Sequence, residues 1–111
     1  MNEVTLVLVC KRPAPGVGKQ RLAAKLGQET AYRIAEALLA CALEDAAEWP
    51  GPVVIAPAGA EDSDWARSLP ISRSMAVAVL PQEMGNLGQR LNALDRTLRM
   101  QGMEHLFFIG S

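Results

Sequence analysis

The chain has 111 residues, 50% of them hydrophobic and 21% charged, so it reads as one domain, residues 1–111, able to bury a core. A formal net charge of −1 argues against a nucleic-acid binder, which would carry a broad basic face. Two cysteines with no CxxC pair, and one histidine, argue against a zinc cluster or a histidine-based triad.

Val4 to Val9 is a continuous β-branched apolar run, the pattern of a strand buried on both faces of a parallel sheet. It is too short for a signal h-region or a membrane span, and the N-terminus lacks a basic n-region. The chain therefore reads as soluble and cytoplasmic, with no membrane partner. Cys10 and Cys41 then read as two free, buried thiols.

A loop rich in proline, glycine and cations follows. Lys19 to Leu26 suits a short helix closed by Gly27 at C′. From Glu29 to Trp49 the pattern is helical, with Ala31, Ile34, Ala35, Leu38, Leu39 and Ala42 on one apolar face. Pro50, Gly51 and Pro52 end it. Val53 to Ala56 is a second strand. Ala60 to Leu69 is a weaker helix, with Asp62 and Ser63 as candidate N-caps.

Ala76 to Leu80 is a third strand, and Pro81 to Gly85 a turn. Asn86 opens a helix in which Leu87, Leu91, Leu94 and Leu98 keep helical spacing and Gly102 closes the end. Leu106 to Ile109 is a fourth strand. His105, Trp49 and Trp65 read as surface or packing residues. The alternation predicts a three-layer αβα architecture, with a parallel Rossmann-like sheet of about four strands and right-handed crossovers. Ligands of such sheets bind beyond the carboxyl ends of the strands.

Two segments fall at that end. Cys10 to Leu22 carries Lys11, Arg12, Lys19 and Arg21, with Pro13 and Pro15 to stiffen it and Gly16 and Gly18 to free its backbone. Its glycine spacing is neither a Walker A nor a G-x-G-x-x-G pattern. The composition suits a loop that cradles a small polyanion, and equally an ordinary strand-to-helix loop with solvated cations. In the second segment, Gln82 to Arg90, Asn86 and Gln89 have capping-box spacing. Gly88 is a poor helix former in a first turn. Arg90 sits against the helix dipole, which suits an anionic partner or a surface ion pair. Glu83 is the one carboxylate read at a strand's carboxyl end, so no metal ligand is evident.

Together the two segments resemble a bacterial family of glycosyltransferases with the nucleotide-diphospho-sugar transferase fold (GT-A, Rossmann-like). Its first pattern, K-x-P-x-P-G-x-x-K-[TS]-R-L, is matched from Lys11 to Leu22. Its second, Q-x-x-G-D-L-G-x-R, is matched by Gln82, Gly85, Asn86, Leu87, Gly88 and Arg90. Its fourth strand ends in I-G-[ST]-D-x-P, of which this chain has Ile109-Gly110-Ser111. Guanylyltransferases that act on phospholactate share the architecture and a K-x-R-L loop.

The resemblance implies that Lys11, Gly16, Gly18, Lys19 and Arg21 bind the phosphates of a nucleotide triphosphate or nucleotide sugar. It places Gln82, Gly85, Asn86, Gly88 and Arg90 around the base and ribose. It implies Mg²⁺ or Mn²⁺ as cofactor, with the expected aspartate ligand absent after Ser111. Gln20 stands for the usual hydroxyl residue and Asn86 for aspartate. The chain thus corresponds to the N-terminal half of the fold, a truncated form lacking the acceptor half. The expectation is a nucleotide-binding domain inactive alone; the alternatives are a non-catalytic module acting through self-association, as a homo-oligomer, and a guanylyltransferase of the phospholactate type.

Overall fold

A computed structural model describes residues 3–14, 20–71 and 77–110. The first strand, β1, runs Val4–Cys10, one residue past the expected end. Helix α1 is Gln20–Leu26 and helix α2 is Gln28–Glu48, with Gly27 between them at φ +89°. Gly27 closes α1, its N–H donating to the Ala23 carbonyl, and its own carbonyl accepts the first bond of α2 from Ala31. Strand β2 is Val53–Pro57.

The expected helix from Ala60 to Leu69 is shorter. A 3-10 turn, Ala60–Asp62, leads into α3, Ser63–Arg67. Asp62 stands at the N-cap with φ −97° and ψ 8° and accepts no capping bond. An extended backbone is what a side-chain cap needs, so the candidate caps do not function here. Pro70 disfavours helix at Leu69, and the chain leaves α3 two residues earlier.

Strand β3 is Val77–Val79, helix α4 is Leu87–Met100 and strand β4 is His105–Gly110. The expected strand residue Ala76 lies outside the described residues. Gly102, at φ +91°, closes α4; its N–H donates to Arg99 and that of Met103 donates to Leu98.

The four strands are all parallel, in the order β3-β2-β1-β4. β1 is therefore hydrogen-bonded on both sides. Its alternation sends Leu6, Leu8 and Cys10 to one face, into a core with Leu39, Leu43 and Ala46 of α2 and Ala66 of α3. Val7 points to the other face, where Val54 and Ala56 of β2 meet Leu94 and Leu98 of α4. Strands β1, β2 and β3 step in one direction, so their helices share a face. β4 returns past β1, so its helix covers the other. The three-layer parallel architecture is as the sequence predicts.

Two packing expectations are corrected. The buried stripe of α2 is Ala31, Leu39, Ala42, Leu43 and Ala46, while Leu38 is 44% exposed. The apolar face read from the sequence extends beyond what the sheet covers. Cys41, expected to be buried, is exposed on the same helix, whereas Cys10 is buried.

The core sets a contrast within α4. Leu98→Ala is expected to cost about 2–5 kcal/mol in urea unfolding, because it opens a cavity under the sheet. Leu87→Ala, at a position 56% exposed, is expected to stay within about 0.5 kcal/mol.

Candidate functional site

The strand order reverses at β1, and the carboxyl ends of β1 and β4 are neighbours. Such a reversal opens a crevice above the sheet. The chain leaves β1 there as Lys11 and Arg12, both exposed. Arg21, in the first turn of α1, is exposed as well. None of these cations is in an ion pair with another described residue. The ion pairs among the described residues are local ones on helices: Glu29–Arg33, Asp64–Arg67 and Asp95–Arg99. Gly16, Gly18 and Lys19 lie outside the described residues.

α4 returns antiparallel to the strands beneath β1 and β2, so its N-terminus lies at the same end of the sheet. The segment before it is anchored to β2. Leu80 N–H donates to Ile55, Gln82 N–H to Pro57, and Gln82 Nε2 to the Ala56 carbonyl at 2.8 Å. Gln82 thus fixes where α4 begins. Asn86 Oδ1 then accepts from Gln89 N–H at 2.9 Å, and Gln89 Oε1 accepts from Asn86 N–H at 2.9 Å. This is the capping box read from the spacing.

The two glycines of this segment differ. Gly85 has φ +125°, and a Cβ there would lie 2.5 Å from Gln89 Oε1. The cap itself demands glycine at that position. At Gly88 an added Cβ would meet only Asn86 Oδ1, at an ordinary 3.5 Å, and the residue is exposed. Packing within the described residues does not require a glycine there, and helix propensity opposes it.

Arg90 is half-buried, and its Nε is fully enclosed without a hydrogen-bond partner among the described residues. An orphaned buried donor costs about 1–3 kcal/mol. Its cation also stands in the first turn of α4, where the dipole already presents positive charge. The second penalty would be relieved by an anion at this end of the helix.

Two features of this end escape the sequence pattern. Asp62, five residues past β2, lies close enough to Cys10 for its charge to be felt there. The Cys10 thiol is pushed up to about 11, first by burial and then by Asp62. Glu83 is thus not the one carboxylate near a strand's carboxyl end; the 3-10 turn folds Asp62 back toward β1. A cleft of about 340 Å³ also opens between α2 and α3, lined by Arg12, Tyr32, Glu36, Leu39, Trp65 and Leu69 among others. Glu36 accepts a hydrogen bond from the Tyr32 hydroxyl and raises its pKa, while Arg12 pulls the other way. Trp65 and Trp49 both pack against the core on this face, as expected. His105 is exposed at the start of β4, at the opposite end of the sheet.

Among the described residues no group of three His, Cys, Asp or Glu side chains is placed to hold a metal ion. The Mg²⁺ or Mn²⁺ implied by the resemblance does not fit the donors present in them. No described helix is long and apolar enough to cross a membrane.

No family model matches the chain, and no curated protein does. A likeness appears among solved structures, to the "putative nucleotide-diphospho-sugar transferase" of Desulfovibrio desulfuricans G20, with a TM-score of 0.80 and 21% identity. The chain has the nucleotide-diphospho-sugar transferase fold. The match covers 100% of this chain and 48% of that one, so the chain spans about half the length of that structure.

The thiols give a direct check on the site's geometry. At pH 8, iodoacetamide is expected to label Cys41 in the native protein and Cys10 only on unfolding. Because the folded state holds the Cys10 proton more tightly, its contribution to stability is intact below pH 9.0 and is lost as the pH rises through about 11. Cys10→Ala is expected to lack that part of the alkaline decline in a pH series of urea melts. Native labelling of Cys10 ahead of Cys41 would contradict the burial.

Proposed function

We propose that the chain is a nucleotide- or nucleotide-sugar-binding domain of a glycosyl- or nucleotidyltransferase. The observation that carries this reading is the pairing of two segments at one end of the sheet: cations after β1 with no ion-pair partner among the described residues, and a capped helix start carrying Gly88 and Arg90, whose Nε has no hydrogen-bond partner among them. Lys11 and Arg21, with Lys19 of the neighbouring loop, neutralise a diphosphate. The N-terminus of α4 adds its dipole, and the half-buried Arg90 adds its positive charge for the same anionic group. Gly88 lets the base or ribose lie against the helix backbone. Gln82 and Gly85 act by holding that backbone in place. The fold likeness supports the reading at the level of architecture.

The transfer step is not assigned to this chain. Positioning cations could bind and orient a diphosphate leaving group, but a metal would need donors beyond those described.

Binding is tested by calorimetry and thermal shift with UTP, GTP and a panel of UDP- and GDP-sugars. At least one is expected to raise the melting temperature and give a measurable Kd, as any ligand of the native state does. A preference for GTP would favour the guanylyltransferase-like reading, and one for a nucleotide sugar the glycosyltransferase reading. Lys11→Ala is expected to weaken that Kd about tenfold through loss of a charge-assisted contact. Gly88→Ala is the sharper variant: it should stabilise α4 by about 0.5–1 kcal/mol yet weaken binding. No response to any nucleotide at millimolar concentration would sink the proposal.

A further inference from the structure

Strand alternation sends the Cys10 side chain into the core beneath α2 and α3. Arg12, two residues on, lines the cleft between those helices on the same face. It is not among the cations assigned above to the diphosphate. Tyr32, Glu36, Leu39 and Leu43 recur at helical spacing, so they form one flank of α2 along this cleft. Leu39 and Leu43 are buried, and Trp65 and Leu69 pack half-buried against the same core from the other wall. The cleft therefore has an apolar body. Its polar groups gather toward the start of α2: Arg12, the Tyr32 hydroxyl and the Glu36 carboxylate. Its volume of about 340 Å³ is near the lower end of small-molecule sites, roughly 300–1,000 Å³.

Arg12 and Glu36 bring opposite charges to this cleft, yet neither is in an ion pair with a described residue. Both are exposed. The Tyr32 hydroxyl donates to Glu36, which raises the tyrosine pKa, and Arg12 is near enough to oppose that rise. Tyr32 is thus within electrostatic reach of both charges. A carboxylate accepts several hydrogen bonds, so Glu36 keeps capacity beyond the one from Tyr32. A lone carboxylate ligand would be drawn to Arg12 and repelled by Glu36, and a lone amine the reverse. A small ligand that carries both charges meets both groups favourably. We propose that the cleft binds an apolar α-amino acid, its carboxylate on Arg12, its ammonium on Glu36 and its side chain against Leu39, Leu43 and Trp65. The two charge-assisted contacts fix its orientation, and the apolar body takes its side chain out of water. The Trp65 ring favours an aromatic side chain.

This inference is independent of the nucleotide reading and is tested without nucleotide. Phenylalanine and leucine are titrated into the 111-residue chain, followed by calorimetry and heteronuclear NMR. Both are expected to bind and to shift the Trp65 indole N–H and the α2 amides near Tyr32 and Glu36. The Trp49 indole, which donates to Val4 outside the cleft, is expected to stay unmoved. Hydrocinnamate, which lacks the ammonium, and phenethylamine, which lacks the carboxylate, are expected to bind at least about tenfold more weakly than phenylalanine. Arg12→Gln and Glu36→Gln, each at an exposed position and checked for native circular dichroism, are expected to weaken phenylalanine binding at least about tenfold. Glu36→Gln is expected to bind hydrocinnamate more tightly than the wild-type chain does, and Arg12→Gln to bind phenethylamine more tightly. Loss of packing alone could not produce that exchange of preference. Should either variant fail to fold, the wild-type comparison of phenylalanine with its two analogues still decides. No binding of either amino acid at millimolar concentration, an analogue bound as tightly as phenylalanine, shifts centred on Trp49, or binding indifferent to both substitutions would each overturn the inference.

Discussion

β1 is bonded to strands on both sides and buried on both faces, and the rest of the molecule is arranged around that requirement. A parallel strand with Leu6 and Leu8 on one face and Val7 on the other needs an apolar cover above and below. α2 and α3 supply one layer and α4 the other. Each fully buried leucine or valine contributes roughly 1.5–3 kcal/mol, so both layers are needed to offset the entropy of ordering the chain. Covering the second face requires the chain to cross back past β1, and that crossing makes the strand order reverse. The crevice over β1 and β4 is therefore a by-product of covering the core.

The same geometry decides which end of the sheet gathers the helix N-termini. Helices that return antiparallel to the strands bring their N-termini to the carboxyl edge of the sheet. Cations placed there oppose the dipole and cost stability, and so does an enclosed guanidinium nitrogen without an acceptor. The opposite end carries Pro52, Gly102 and His105, the ordinary residues of closing turns. Lys11, Arg12, Arg21 and Arg90, none of them in an ion pair with a described residue, thus lie toward the carboxyl end of the sheet.

The element order and the parallel sheet were legible because the signals are redundant: β-branched runs, helical stripes and proline or glycine stops agree. The capping box of Asn86 and Gln89 was legible because it depends on residues three apart. What sequence periodicity missed is set by tertiary placement. Leu38 falls on the apolar stripe of α2, but a stripe says nothing of how wide a sheet lies beneath it. Cys41 reads as core by composition, and its helical phase points it outward. Asp62 reads as a cap, and only the 3-10 turn carries its charge back to Cys10. The Tyr32–Glu36 pair beside Arg12 depends on where the loop after β1 meets α2. The cation loop's glycines, Gly16 and Gly18, lie outside the described residues, so their part in the site rests on the resemblance.

Within the helix start, structure separates residues that a motif merges. Asn86, Gln89 and Gly85 are each accounted for by one local device: two reciprocal bonds, and a backbone angle with a close contact that only glycine accommodates. Gln82 is accounted for by its bond to Ala56. A chain selected only to begin a helix here would need these four and no more. It would also gain by placing alanine at Gly88 and a neutral or acidic residue at Arg90. That it does neither leaves two positions where stability runs against the sequence, both at the start of α4. It is on those two costs, which the described residues do not offset, that the proposed anionic ligand rests.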